Sequence, residues 1–187
     1  AQKLMFGGES AGKLKEEGRL VSIQSLSGTG GLAMCGKLYS KFGGVGKVMV
    51  SNPTWGNHRA IFEAAGLEVQ TYKYIDSSCP ETPRLDFEGF KTDLEGSAEG
   101  TMVLLQACAH NPTGVDPTKE QWDEILSICL KKNLLVLFDN AYQGFATGDT
   151  DRDAYAVRRF VDLGGSMLVA CSFAKNMGLY GERVGAV

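Results

Sequence analysis

Two short runs constrain this chain more than anything else in it: MVLL at 102–105 and LLVLF at 134–138. Neither alternates apolar with polar residues. A strand with one wet face alternates, whereas a continuously apolar strand is covered on both faces. Such strands belong to mostly parallel sheets with helices above and below. The other strand-like runs fit the same plan: VSIQSL (21–26), KVMVS (47–51), LEVQTYKY (67–74), TMVLLQACA (101–109), NLLVLFD (133–139) and SMLVACS (166–172). Helix-length segments lie between them. Residues 29–42 place Leu32, Cys35, Leu38, Tyr39 and Phe42 at helical spacing. Residues 118–131 open with Thr118 and Gln121 as a capping box and set Trp122, Ile125, Leu126 and Cys129 on one face. A third, more charged helix is expected over 151–162. The order predicts an α/β domain of three layers, α/β/α, around a mostly parallel sheet. DSSCPETPR, 76–84, reads as a surface loop. The chain closes on RVGAV, inside another strand-like run, and 1–187 reads as a piece of a longer protein.

Composition narrows the function classes. A net charge of -3 gives no electrostatic reason to expect a nucleic-acid partner. No apolar run approaches 18 residues, so no membrane span is expected. The five cysteines (Cys35, Cys79, Cys108, Cys129, Cys171) form no CxxC pair, and there are two histidines, which argues against zinc. Buried thiols in a reducing compartment are the expectation.

In open parallel sheets, ligands bind beyond the carboxyl ends of the strands. Five strand ends carry small, polar or aromatic residues: SGTGG (27–31), NPTWGNH (52–58), HNPTG (110–114), Asp139 to Tyr142, and Ser172 with Lys175. SGTGG opens a helix, where free backbone N–H groups and the helix dipole favour an anion such as a phosphate. An ordinary glycine-rich turn is the plain alternative. A sharper rival is a dinucleotide fingerprint on Gly28, Gly30 and Ala33, but the next strand ends VSNPTW, without the acidic residue that would hold a ribose. NAD binding is therefore the weaker alternative. GESAG, 8–12, has the form of a hydrolase elbow but no strand before it, so a helix cap at Ser10 is expected instead. GGVGKV lacks the spacing of a P-loop.

Asp139 ends the most apolar strand. A carboxylate there needs a cation or several donors. In a desolvated site a cation at about 4 Å is worth roughly 4 kcal/mol at an effective dielectric near 20. Trp55, in a Pro/Gly-rich loop, suits a flat stacking platform. Lys175 sits among Phe173, Ala174, Met177 and Gly178, poor company for a charge. A neutral amine attacks carbonyls, and desolvation or a nearby cation such as Arg183 favours that neutral form. A snorkelling surface lysine is the plain alternative. Together a phosphate cradle, an aromatic plate, a buried carboxylate and an amine describe one cofactor, pyridoxal 5'-phosphate.

SLSGTGG, NPTWGNH, ACAHNPTGVDP, FDNAYQGFATGD and SFAKNMGLYGERVGA, taken in order, resemble the fold-type-I aminotransferases, and among them the aspartate aminotransferases. The resemblance covers nearly the whole chain. It implies amino transfer between L-aspartate and 2-oxoglutarate, with an aromatic or broader dicarboxylic aminotransferase as the alternative. It implies a Schiff base on Lys175, Asp139 at the ring nitrogen, and Tyr142 and Asn111 at the ring's phenolate oxygen. Ser27, Gly28, Thr29, Ser172 and Arg183 would hold the phosphate. Trp55 would stack on the ring and, with Asn111, place the substrate's α-carboxylate. His58 would support Asp139 from behind. Relatives usually carry His where this chain has Gln106. Members are about twice this long and act as homodimers, so 1–187 is expected to be the cofactor-binding large domain, without the N-terminal segment, the small domain and the arginines that grip substrate. The isolated piece is expected to be inactive. A cytoplasmic location is expected, with a mitochondrial one left open.

Overall fold

The computed structural model describes residues 1–78 and 81–187. Two helices, α1 (Gln2–Phe6) and α2 (Gly8–Glu16), open the chain. There follow β1 (Gln24–Leu26), α3 (Ser27–Phe42), β2 (Lys47–Asn52), α4 (His58–Ala64), β3 (Glu68–Lys73) and α5 (Phe87–Glu95). Then come β4 (Met102–Gln106), α6 (Lys119–Lys131), β5 (Leu135–Asn140), α7 (Thr150–Asp153), α8 (Tyr155–Asp162), β6 (Met167–Ser172) and β7 (Val184–Ala186). The strands form one sheet in the order β1-β7-β6-β5-β4-β2-β3. From β3 to β6 every pairing is parallel, while β7 runs antiparallel to both β6 and β1. Two reversals restore direction, so β1 ends on the same edge as β6.

The continuous apolar runs do divide between two cores. On one face Val48, Val50, Met102, Leu104, Leu137 and Ala170 pack against Leu32, Cys35 and Tyr39 of α3 and Phe62 and Ala65 beside α4. On the other face Met49, Val103, Leu105, Val136, Phe138 and Val169 pack against α5, α6 and α8 through residues such as Phe90, Ile125 and Phe160. Successive residues of one strand alternate between the cores, which is the period-2 rule with both faces dry. The α6 capping box is present, with the Thr118 side chain accepting from the Gln121 amide and the Gln121 side chain accepting from the Thr118 amide.

Four expectations needed correction. Residues 151–162 make two helices with Ala154 between them. Asp153 is buried and turned back, accepting hydrogen bonds from the Gly144, Ala146 and Thr147 amides, so that stretch answers to a loop rather than to one helix axis. Ser10 lies inside α2 and caps nothing; the helix starts after Gly7, which takes φ 78°. In α3, Leu32, Cys35 and Tyr39 face the sheet, but Leu38 and Phe42 lie on the flank, 49% and 73% exposed. Only 24–26 of VSIQSL form the strand, and Val21 and Ile23 are exposed. In the 76–84 loop, residues 77, 78 and 81–84 are exposed and Asp76 is half-buried, accepting from Arg84; Cys79 and Pro80 lie outside the described residues.

Gly185 is where β7 meets the α3 start most closely. A Cβ there would sit 2.5 Å from the Ser27 carbonyl carbon and 2.6 Å from the Cys171 carbonyl oxygen, both backbone atoms. Backbone on two sides leaves no room to yield. Gly185→Ala is expected to lower unfolding free energy by about 2 kcal/mol or more, read by urea denaturation; a change within about 0.5 kcal/mol would contradict this packing.

Candidate active site at the carboxyl edge of the sheet

The strand ends converge on a cavity of about 310 Å³. It is lined by Ser27, Gly28 and Thr29 from the start of α3, Trp55 after β2, Gln106 at the end of β4 and Asn111 after it, Asp139 near the end of β5 and Tyr142 after it, Ser172 at the end of β6 and Lys175 after it, and Arg183 before β7. Every cavity residue expected from the sequence is there. His58 stands behind Asp139 instead of in the cavity wall.

One end of the cavity suits an anion. α3 begins at Ser27 with Leu26 as its N-cap; the Ser27 amide donates to the Arg183 carbonyl at 2.9 Å, and no side chain caps the amides that follow, those of Gly28 and Thr29. The Ser27 and Ser172 hydroxyls lie 2.8 Å apart, with the Ala174 amide 3.2 Å from Ser172 Oγ. Ser27 takes φ 61°, which turns the chain from strand into helix. A Cβ on Gly28 would come within 3.1 Å of Ser172 Cβ, so glycine lets helix and strand approach. Arg183 brings a cation to the same end, its guanidinium donating to the Tyr180 carbonyl at 3.1 Å.

The other end suits a cation. Asp139 is 8% exposed, and its Oδ2 accepts from His58 Nε2 at 3.0 Å. A carboxylate only accepts, so Nε2 carries the hydrogen. His58 Nδ1 meets Thr54 Oγ1 at 2.7 Å, and Trp55 stands edge-on to the imidazole with centroids 5.2 Å apart. The four strand-end residues Thr54, Trp55, His58 and Asp139 thus form one connected unit.

Between the ends stands the amine. Lys175 Nζ lies 5.1 Å from the Tyr142 ring centroid and 5.6 Å from that of Tyr180. Asn111 Nδ2 is 3.5 Å from the Tyr142 hydroxyl. Sequence reading passed over Thr54 and Tyr180. Both lie inside quoted motifs, but a threonine before a tryptophan and a tyrosine in GLYGER carry no signal of their own.

A second layer fixes the loops. Asp116 accepts from the Ala109 and His110 amides at 2.6 and 2.9 Å. His110 is buried, stacked on Tyr74 at 3.8 Å, with its nitrogens 2.8 Å from Ser51 Oγ and from Thr113 Oγ1. Burial, with a smaller contribution from His58, pushes its pKa down to about 4. The four described cysteines are free and buried, and burial raises their thiols (Cys171 to about 11), so none is poised as a nucleophile. No helix among the described residues is long and apolar enough to cross a membrane.

The dinucleotide alternative fails on topology. That fold needs the strand before its glycine loop to sit next to the strand after its helix. Here β1 and β2 are separated by β7, β6, β5 and β4. What the fold and site define instead is an α/β protein whose cavity offers an anion cradle, a buried carboxylate and a single amine.

Comparison with known proteins gives this class a family. The model for aminotransferase class I and II matches residues 2–187. Aspartate aminotransferase 1 of Medicago sativa is 52% identical over 185 residues, covering 99% of this chain and 43% of its own length. The mitochondrial aspartate aminotransferase of Schizosaccharomyces pombe is 55% identical over 167 residues, 89% of this chain and 38% of its own. Among solved structures, the cytoplasmic aspartate aminotransferase of Saccharomyces cerevisiae superposes with a TM-score of 0.92 at 50% identity, over 98% of this chain and 44% of that one. An aromatic-amino-acid aminotransferase from Burkholderia pseudomallei, covalently bound to pyridoxal phosphate, gives 0.93 at 41% identity, over 99% and 45%. The chain belongs to the class I and II aminotransferases. It spans less than half the length of these relatives.

His110 gives the site a pH signature. Its folded value, about 4, lies below the ordinary 6.5, so the unfolded chain takes up the proton first. Its stabilising contribution is complete above about pH 6.5 and is lost as pH falls toward 4. Asp116, whose carboxyl burial raises, works in the opposite sense. The difference between proteins isolates His110: between pH 7 and 4.5, His110→Gln is expected to lose about 2 kcal/mol less stability than the parent in urea titrations. Parallel pH profiles would contradict the buried neutral ring.

Proposed function

We propose that residues 1–187 form the cofactor-binding large domain of an aspartate aminotransferase. The protein would exchange an amino group between L-aspartate and 2-oxoglutarate, giving oxaloacetate and L-glutamate, with pyridoxal 5'-phosphate as cofactor. The observation that carries this reading is the meeting of Lys175, Asp139 and the uncapped start of α3 on one cavity.

The residues fit the cofactor at both ends. Its phosphate matches free helix amides, the paired Ser27 and Ser172 hydroxyls and the Arg183 cation. Its ring nitrogen, when protonated, matches the Asp139 carboxylate, which His58 orients. Bound there, the cofactor supplies an electron sink for the bond electrons left when an amino acid loses its α-proton. The chain supplies the rest. Lys175 Nζ would hold the cofactor's aldehyde carbon and, when free, would serve as the base for the α-proton. Trp55, in the cavity wall, would cover the ring face and keep water from it. Tyr142 and Asn111 would hydrogen-bond the ring's hydroxyl oxygen, and Asn111 with Trp55 would place the substrate's α-carboxylate.

Relatives named for aspartate reach 55% identity and the aromatic enzyme 41%, which supports aspartate; other enzymes named for aspartate fall to 41% as well and a broad-specificity one stands at 45%, so a broader dicarboxylic or aromatic range is the second reading. The partners in this reading are small amino and oxo acids and a second copy of the chain. The exposed apolar flank of α3, with Met34, Leu38 and Phe42 beside Ile23, supports a homodimer. Buried free cysteines support a reducing compartment, and a cytoplasmic one is the reading we adopt.

The test is chemical. Borohydride reduction of the cofactor-loaded protein is expected to leave the label on the peptide carrying Lys175. Lys175→Ala is expected to retain no label and, in the longer protein that this reading implies, to lose amino transfer by about 10²- to 10⁴-fold or more. A label on another lysine, or one kept by the variant, would overturn the reading.

A further inference from the structure

Gln106 is the last residue of β4, buried, and in register with Asp139 on β5. Its side chain makes no hydrogen bond to that carboxylate. It folds over the next loop and pairs with a single residue: Gln106 Nε2 donates to the Asn111 carbonyl at 3.0 Å, and the Asn111 amide donates to Gln106 Oε1 at 2.8 Å. The loop so closed, 107–110, is held up to His110 by Asp116, Ser51, Thr113 and Tyr74, and its last step, to the Asn111 backbone, is held by Gln106. Ala109 takes φ 47°, and Asp116 holds the Ala109 and His110 amides but not Asn111.

Only an amide side chain can do this. Its donor and acceptor lie side by side on one planar group, matching the N–H and C=O of one residue. An imidazole, the group that the resemblance implies for this position, puts its donor and acceptor on opposite sides of a ring. It can take one of the two bonds to Asn111, not both. Gln106 also brings no titratable group next to Asp139.

We propose that Gln106 is a positioning residue that acts through Asn111. By gripping the Asn111 backbone at both polar atoms, it aims Asn111 Nδ2 at the point that the Tyr142 hydroxyl also faces. At 3.5 Å from each other those two groups are at the outer limit of a mutual hydrogen bond, so each keeps capacity for a third atom. That atom, resting on the function proposed above, is the cofactor's ring hydroxyl oxygen. Two aligned donors stabilise its deprotonated form and lower the pH at which the bound cofactor's visible band titrates.

Gln106→Met keeps the volume and removes both bonds, and Gln106→His keeps one. The first readout needs no cofactor: hydrogen exchange of the Asn111 amide, expected to be faster in Gln106→Met. The second is the midpoint of the visible-band pH titration in the loaded protein, expected to rise by about half a unit to one unit in Gln106→Met and by less in Gln106→His. The charged and titratable groups that line the cavity (Asp139, Tyr142, Lys175, Tyr180, Arg183), with His58 behind Asp139, are unchanged, so the shift between parent and Gln106→Met reports Asn111. A merely structural role would lower thermal stability and leave the midpoint in place; an unmoved midpoint overturns the proposal. Should Gln106→Met not fold, Gln106→His decides alone, a raised midpoint supporting and an unmoved one overturning. A parent that takes up no cofactor would sink the proposed function instead. The exchange rate would then judge the clamp, and equal rates in parent and variant would overturn it.

Discussion

A strand covered on both faces can keep a polar side chain only at its ends. β4 and β5 are buried along nearly their whole length, and their polar residues come last: Gln106, then Asp139 and Asn140. β6 follows the rule with Ser172. Parallel pairing puts these ends on one edge, and the double reversal through β7 adds the start of α3 and Arg183 to it. The site is a consequence of where this architecture lets polarity go.

Placing a carboxylate at the end of such a strand is costly unless it is bonded. His58 meets that need, and Thr54 and Trp55 fix His58 in turn. The loops that carry Asn111 and Tyr142 are each fastened from behind by a carboxylate taking backbone amides, Asp116 for one and Asp153 for the other. Asn140 and Gln143, both buried, tie the second loop further to Leu4 and Thr150. Function sits on the front of each loop and structure on its back.

The sheet and its order of elements were legible because continuous apolar runs admit few architectures. The cavity residues were legible because the rule of strand ends tells where to look. What stayed hidden depends on geometry across the sheet. Nothing local shows that Leu38 and Phe42 leave the core, since their spacing matches that of Leu32 and Cys35; the sheet covers only one side of α3. The break at Ala154 comes from a loop nine residues earlier pulling on Asp153. The grip of Gln106 on Asn111 spans five residues that only the turn brings together. The resemblance marked Gln106 as unusual, but not as a clamp.

The most direct test lies at the floor of the cavity. With cofactor labelled with ¹⁵N in its ring, the nitrogen's chemical shift reports whether it carries a proton. In the parent it should stay protonated at a mildly alkaline pH where the free cofactor's ring nitrogen does not, and Asp139→Ala should lose that proton at the same pH. A parent whose ring nitrogen is unprotonated there, or a variant that keeps the proton, would contradict the pairing of Asp139 with the ring.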